Sequence, residues 1–209
     1  MLHLISIWFL FLSGLSAVAI AIDVRRHPQK MWIMNVVWPV TALYFGPFTF
    51  WSYYSFGRDK QNKPYWQKVW NGVTHCGAGC TLGDIVAEWS VFLAGLTLLG
   101  STLFTDCLFD FCAAFALGII FQYFSIAPMR GISGWPAIKA ALKADTVSLI
   151  AFEVGLFAFM YWMHHHFQPH LTPRQPEFWF LMQIGMIIGF FTAFPANWWL
   201  IHKGWKEAM

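Results

Sequence analysis

The sequence predicts an all-α fold: a polytopic membrane bundle of six transmembrane helices, forming a single integral-membrane domain over residues 1–209. Three observations predict it. The chain is 58% hydrophobic and only 11% charged, with a mean hydropathy of +0.52, whereas a soluble domain carries roughly 25% charged residues. Its apolar stretches recur at about the 20 residues needed for one crossing. Tryptophans such as Trp32, Trp51, Trp66, Trp70, Trp179, Trp198, Trp199 and Trp205 cluster near the predicted ends, as interfacial anchors do. No polar stretch is long enough to fold alone, so one domain is expected, with the lipid bilayer as its first partner.

The first segment covers about residues 2–22 and ends at Asp23-Val24-Arg25-Arg26-His27-Pro28. No basic region precedes its apolar run, so a cleaved signal peptide is not expected. The second covers about 31–56 and contains Pro39 and Pro47, which predict a kink or a locally broken helix. The third covers about 73–99. The fourth covers about 107–127 and stops before Pro128. The fifth and sixth cover about 144–164 and 177–201. The aromatic, basic stretch from Pro64 to Trp70 reads either as an interfacial segment or as an ordinary loop.

Loop lysines and arginines favour the cytoplasm. With six spans and both termini cytoplasmic, nine of the thirteen fall inside: Arg58, Lys60, Lys63, Lys68, Arg130, Lys139, Lys143, Lys203 and Lys206. Arg25, Arg26, Lys30 and Arg174 dissent. The net charge of +3 resides in these loops and gives no reason to expect nucleic acid as a partner.

The third segment is the most informative. Residues 72–89 read GVTHCGAGCTLGDIVAEW, placing His75, Cys76, Cys80, Asp84 and Glu88 in an otherwise apolar stretch. Polar groups at membrane depth are costly and usually have a task. Residues four apart drift only about 40° around a helix, so Cys76, Cys80, Asp84 and Glu88 would form one stripe. Soft and hard metal ligands would then descend one face. The competing reading is packing, because cysteine behaves as a small apolar residue and Gly77, Gly79 and Gly83 make a close-contact face. A Cys76–Cys80 disulfide would strain the turn.

Residue counting puts Glu88 about 22 Å into its segment and Glu153 about 14 Å into the fifth. Both fall in the middle third of a core about 30 Å thick. Two such carboxylates could share a proton or a cation, or each could bond to a neighbour such as Thr146, Ser148, Gln183 or Asn197. At the opposite end, Met160, Met163, His164, His165, His166 and His170 lie near Asp106, Cys107 and Asp110. Imidazole suits Zn, Cu and Ni, and thioether or thiolate suits Cu(I). Three adjacent histidines point about 100° apart, so they cannot all face one ion from a regular helix. An interfacial polar loop is the alternative there. Met182 and Met186 read as core packing, and Gly185 with Gly189 as a helix-contact pair. No P-loop, GxSxG, HExxH or CxxCH occurs.

Four blocks carry a family resemblance. They are Met34 to Phe48 (MNVVWPVTALYFGPF), Thr74 to Trp89 (THCGAGCTLGDIVAEW), Leu142 to Gly155 (LKADTVSLIAFEVG) and MQIGMIIGF with PANWWLI in the sixth segment. Together they resemble an uncharacterised bacterial integral-membrane family, a domain of unknown function. Its members are sometimes labelled copper oxidases or linked to copper handling. The resemblance implies a multi-pass protein of the bacterial inner membrane and assigns no catalytic residues.

The combined expectation is transport, delivery or tolerance of a soft transition metal, with copper first. His164, His165, His166 and His170 with Asp106 and Asp110 would recruit it outside. Glu88 and Glu153 would carry it at mid-depth, and His75, Cys76 and Cys80, backed by Asp84, would form an inner site. Two other readings stand beside this one. One is a thiol- or haem-based redox or electron-transfer subunit. The other is a structural subunit whose polar groups are helix glue, in a homo-oligomer or a larger membrane complex.

Overall fold

The computed structural model describes residues 1–58, 63–167 and 169–207. Lys60, counted above among the cytoplasmic loop residues, lies outside them. Seven α-helices follow in order: α1 Leu2–Arg26, α2 Met34–Phe45, α3 Phe48–Ser52, α4 Tyr65–Ala94, α5 Thr102–Arg130, α6 Trp135–His166 and α7 Pro176–His202. A five-residue π-helical turn, Tyr53–Gly57, follows α3. Four helices, α1, α5, α6 and α7, are long and apolar enough to cross a membrane.

The hydrophobic pattern is that of a membrane protein. On α1 the residues facing the bundle include Ser6, Ser13 and Ser16, while Leu4 and Trp8 are exposed. Each serine hydroxyl donates to the carbonyl one turn back, at 2.7–2.9 Å. Their polarity is thus satisfied within the helix, as a lipid environment requires. The central helix is α4, which packs against α2, α5, α6 and α7. Every residue from Asn71 to Thr81 is buried. Its polar residues therefore meet protein and not lipid. Small residues permit this enclosure: a methyl group added at Gly83 would strike the backbone of Ala114, and one at Gly79 would come within 3.1 Å of Gly118 Cα.

Five long helices run alternately between the two ends of the bundle. At one end the start of α1 meets the start of α7, where His3 Nδ1 and Glu177 Oε1 are 2.7 Å apart. Near the same end Trp89 of α4 stacks on Trp179 of α7. At the other end Tyr65, the first residue of α4, donates to the carbonyl of Trp198 near the end of α7. Arg130, closing α5, donates to Glu207 just beyond α7, at 2.7 Å. The first and last helices therefore put Met1 and Glu207 at opposite ends of the bundle.

The second expected span departs from the prediction. With twelve residues, α2 is only about 18 Å long, too short for a core of about 30 Å. The chain reverses at Gly46 (φ +59°) and Pro47, where proline cannot continue the hydrogen-bond ladder. It returns through α3 and the π turn to the end it left. Trp38 meets Tyr53 edge to face, with ring centroids 5.4 Å apart. Tyr53 Oη donates to Asp23 at the end of α1, at 2.7 Å, and Arg58 Nε lies 3.5 Å from the same carboxylate. The deep end of α2 is fixed by Gln183, whose amide donates to the Leu43 carbonyl and to Ser13 Oγ. Residues 34–57 form a helical hairpin.

This topology redistributes the charges. Of the twelve described lysines and arginines, eleven lie at the end that holds the hairpin mouth: Arg25, Arg26, Lys30, Arg58, Lys63, Lys68, Arg130, Lys139, Lys143, Lys203 and Lys206. Arg174 alone is at the other end, its guanidinium 5.1 Å from the centre of the Phe92 ring. The stretch from Tyr65 to Trp70, left open above, forms the first turns of α4.

Candidate functional site

A cavity of about 370 Å³ opens at the end opposite the basic one. Glu88 from α4, Asp106 from α5, Met160, Met163 and His164 from α6, and His170 beyond it all line it. The His164 and His170 rings stack at 3.8 Å and 15°. His165 and His166 do not line it. Both are exposed on α6, with Nδ1 at 2.8 and 2.9 Å from the carbonyls of Tyr161 and Trp162. Their rings lie on those same two aromatic residues. The expected group of four histidines is therefore divided by helix geometry, two inside and two out.

Below the cavity a line of buried polar side chains runs through the bundle. Glu88 stands within electrostatic reach of Asp106 and Asp110. Asp110, grouped above with the outer residues, is fully buried one turn deeper than Asp106. Asp84 interacts with both Glu88 and Glu153. Glu153 adjoins the Cys80 thiol, and Cys80 adjoins Cys76. Cys76 adjoins Asp145, whose Oδ1 lies 3.9 Å from Lys206 Nζ. Glu88 and Glu153 thus belong to one file, joined through Asp84 and Asp110. On α4 the run from Cys76 to Glu88 alone covers about 18 Å.

The packing explains how these groups meet. The four-residue spacing on α4 turns Cys76, Cys80, Asp84 and Glu88 to one side, and the glycine contacts draw α5 close. His75 points elsewhere, its ring 6.0 Å from that of Phe121, yet it stays within electrostatic reach of Lys206. The hairpin contributes Tyr44, which lies against Gly77 and interacts with both cysteines. All four cysteines are free. Asn197 donates to Ser148 Oγ at 2.7 Å.

Sequence reasoning missed Asp145, Lys206 and Tyr44. Asp145 had a signal, because Ser148 and Phe152 recur at i+3 and i+7 and mark a buried face. Lys206 had none. It enters the core only because the chain reverses at Gly204, φ +67°.

The file's electrostatics are one-sided. Asp84, Glu88, Asp110, Asp145 and Glu153 are buried with two thiols against the single ammonium of Lys206. Ionised carboxylates cannot share so dry a space without counter-charge. Protons or another cation must supply it. Among the described residues no three His, Cys, Asp or Glu side chains converge to hold one metal ion. The donors fit a soft ion in their chemistry, through thiols, thioethers and imidazoles.

Fold and site together define an α-helical membrane protein with a polar, acid-rich core enclosed by apolar helices. The chain belongs to the family of the domain of unknown function DUF4396, which matches residues 65–206. That stretch opens at the first residue of α4 and closes at Lys206, so it includes the whole file except Tyr44. No curated protein and no solved structure matches the chain.

Proposed function

We propose that this protein conducts a soft monovalent cation along the buried file, with copper(I) as the first cargo to test, in the bacterial plasma membrane. The observation that carries the reading is the continuity of the file, from the His/Met/carboxyl cavity through Glu88, Asp110, Asp84 and Glu153 to the Cys80–Cys76 pair. Soft donors stand at both ends and carboxyls between them neutralise the ion's charge. A thiol that takes up the ion releases its proton, and Glu153 beside Cys80 is placed to accept it. Tyr44, beside the thiols, stands near the negative dipole end of the half-crossing α2, and such half-helix ends favour cations.

In this reading the membrane is crossed five times, by α1, α4, α5, α6 and α7, and entered once by the hairpin. The sixth full crossing and the shared side of the two termini are set aside. Eleven of twelve described basic residues at one end argue that this end is cytoplasmic. The cavity and the N-terminal end of α1 then face outward. Arg25, Arg26 and Lys30, which dissent in a six-span topology, agree with this one.

The test is flux into liposomes containing a copper(I)-sensitive chelating dye. Wild-type protein should carry copper(I) or silver(I) faster than protein-free vesicles. Cys76→Ser/Cys80→Ser and Glu153→Gln should each lower that rate at least about tenfold, the equivalent of about 1.4 kcal/mol. Wild-type flux no faster than that of empty vesicles overturns the reading.

A further inference from the structure

We propose that Asp145, Ser148 and Cys76 form a second, inner site for a monovalent cation, and that Lys206 occupies it as a tethered competitor. The inference rests on the conduction reading for its cargo, but its geometry is independent of which ion moves. Lys206 is fully buried although it follows the last helix by four residues. The reversal at Gly204 carries it inward, with Trp205 N and Lys206 N both bonded to the Leu200 carbonyl. Its ammonium lies 3.4 Å from Ser148 Oγ and 3.9 Å from Asp145 Oδ1. A buried charge pair at that separation is weakly compensated.

Asp145 is the second observation. It is 2% exposed, and neither carboxylate oxygen accepts a hydrogen bond from a described residue. On one side it faces Gly118, where an added methyl would strike Oδ2, and on another it adjoins Cys76. A carboxylate so enclosed, beside a thiol and a hydroxyl, has the donor set of a small cation site, and the ammonium is the cation now nearest it. Beyond its backbone bonds to Leu200, the stretch that delivers Lys206 is fastened at the surface. Glu207 accepts from Arg130, both partly exposed, and the Trp205 ring lies 4.2 Å from Lys143 Nζ. Surface pairs of this kind are worth little, so an ion reaching Cys76 can displace the ammonium and free the mouth of the file.

Two readouts test this on the full-length protein in a Cys107→Ser/Cys112→Ser background, which leaves Cys76 and Cys80 as the thiols. The first is silver(I) binding by calorimetry. Lys206→Met should bind silver(I) at least about tenfold tighter than the parent, and adding Asp145→Asn should abolish that gain. The second is modification of Cys76 by a small cationic thiol reagent from the basic end, followed by peptide mass spectrometry. Lys206→Met should accelerate it, Lys206→Arg should not, and Glu207→Gln, which loosens the fastening without touching the site, should accelerate it in part. If Lys206→Met does not fold, Glu207→Gln carries the second readout alone. Unchanged silver affinity together with unchanged Cys76 modification in folded variants overturns the proposal. Tighter silver binding without copper flux in liposomes leaves the inner site standing and removes the proposed cargo.

Discussion

Gly57 lies directly beneath the indole of Trp38, so close that a side chain at 57 would collide with the ring. This contact joins the two limbs of residues 34–57 near their mouth. It holds the second apolar segment as a helical hairpin, which the proposed topology takes as entering the membrane without crossing it. In that topology every helix after it is inverted relative to a six-span arrangement with the same start.

That inversion is measurable. Lys30→Cys should be protected from membrane-impermeant thiol reagents in intact cells, whereas Leu99→Cys, in the exposed turn between α4 and α5, should be labelled. Six spans with cytoplasmic termini predict labelling at both positions, because both loops would then face outward. Gln168, the corresponding probe in the last loop, lies outside the described residues.

The cavity divides the histidines. His165→Ala/His166→Ala should leave silver(I) or copper(I) flux within about twofold of wild type, since both rings rest on their own helix. Met163→Ala/His164→Ala should lower it by about tenfold, a change of about 1.4 kcal/mol in the rate-limiting step. Equal losses in the two variants would remove the cavity from the path.

Close packing on the central helix gives a stability prediction. Gly83→Ala places a methyl against the Ala114 backbone, which cannot rotate aside. Overpacking of this kind costs about 1–3 kcal/mol. The midpoint of thermal unfolding in detergent should fall by several degrees. Gly14→Ala, on α1 with nothing within 4 Å of the added methyl, should leave it unchanged.

Asp84 links the two halves of the file. Asp84→Asn keeps its shape and removes its charge, so cation flux should fall at least about tenfold while silver(I) binding at Cys76 and Cys80 persists. Loss of both flux and binding in a folded variant would mean that Asp84 supports the thiols and does not carry the ion between them.

The sequence by itself determined a great deal. Composition and apolar length made this a helical membrane protein. The four-residue spacing of Cys76, Cys80, Asp84 and Glu88 set one polar stripe on α4, because helical periodicity is a local property. Depth counting placed Glu88 and Glu153 at mid-depth; the structure buries both and puts Glu88 in the wall of the end cavity. Local rules could not reveal which side chains on other helices meet that stripe. Asp110 joins Glu88 because glycines let α5 approach, and Asp145 joins Cys76 because α6 crosses there.

Only the tertiary structure decided the rest. Pro39 and Pro47 signalled a break, yet whether the chain continues outward or folds back depends on partners remote in sequence, Asp23 for Tyr53 and Gln183 for Leu43. Lys206 read as one more loop charge. It becomes a buried counter-ion because Gly204 reverses the chain and Asp145 waits in the core. Periodicity and hydropathy describe one helix at a time. The function of a polar group in a membrane depends on the charges that other helices bring to it.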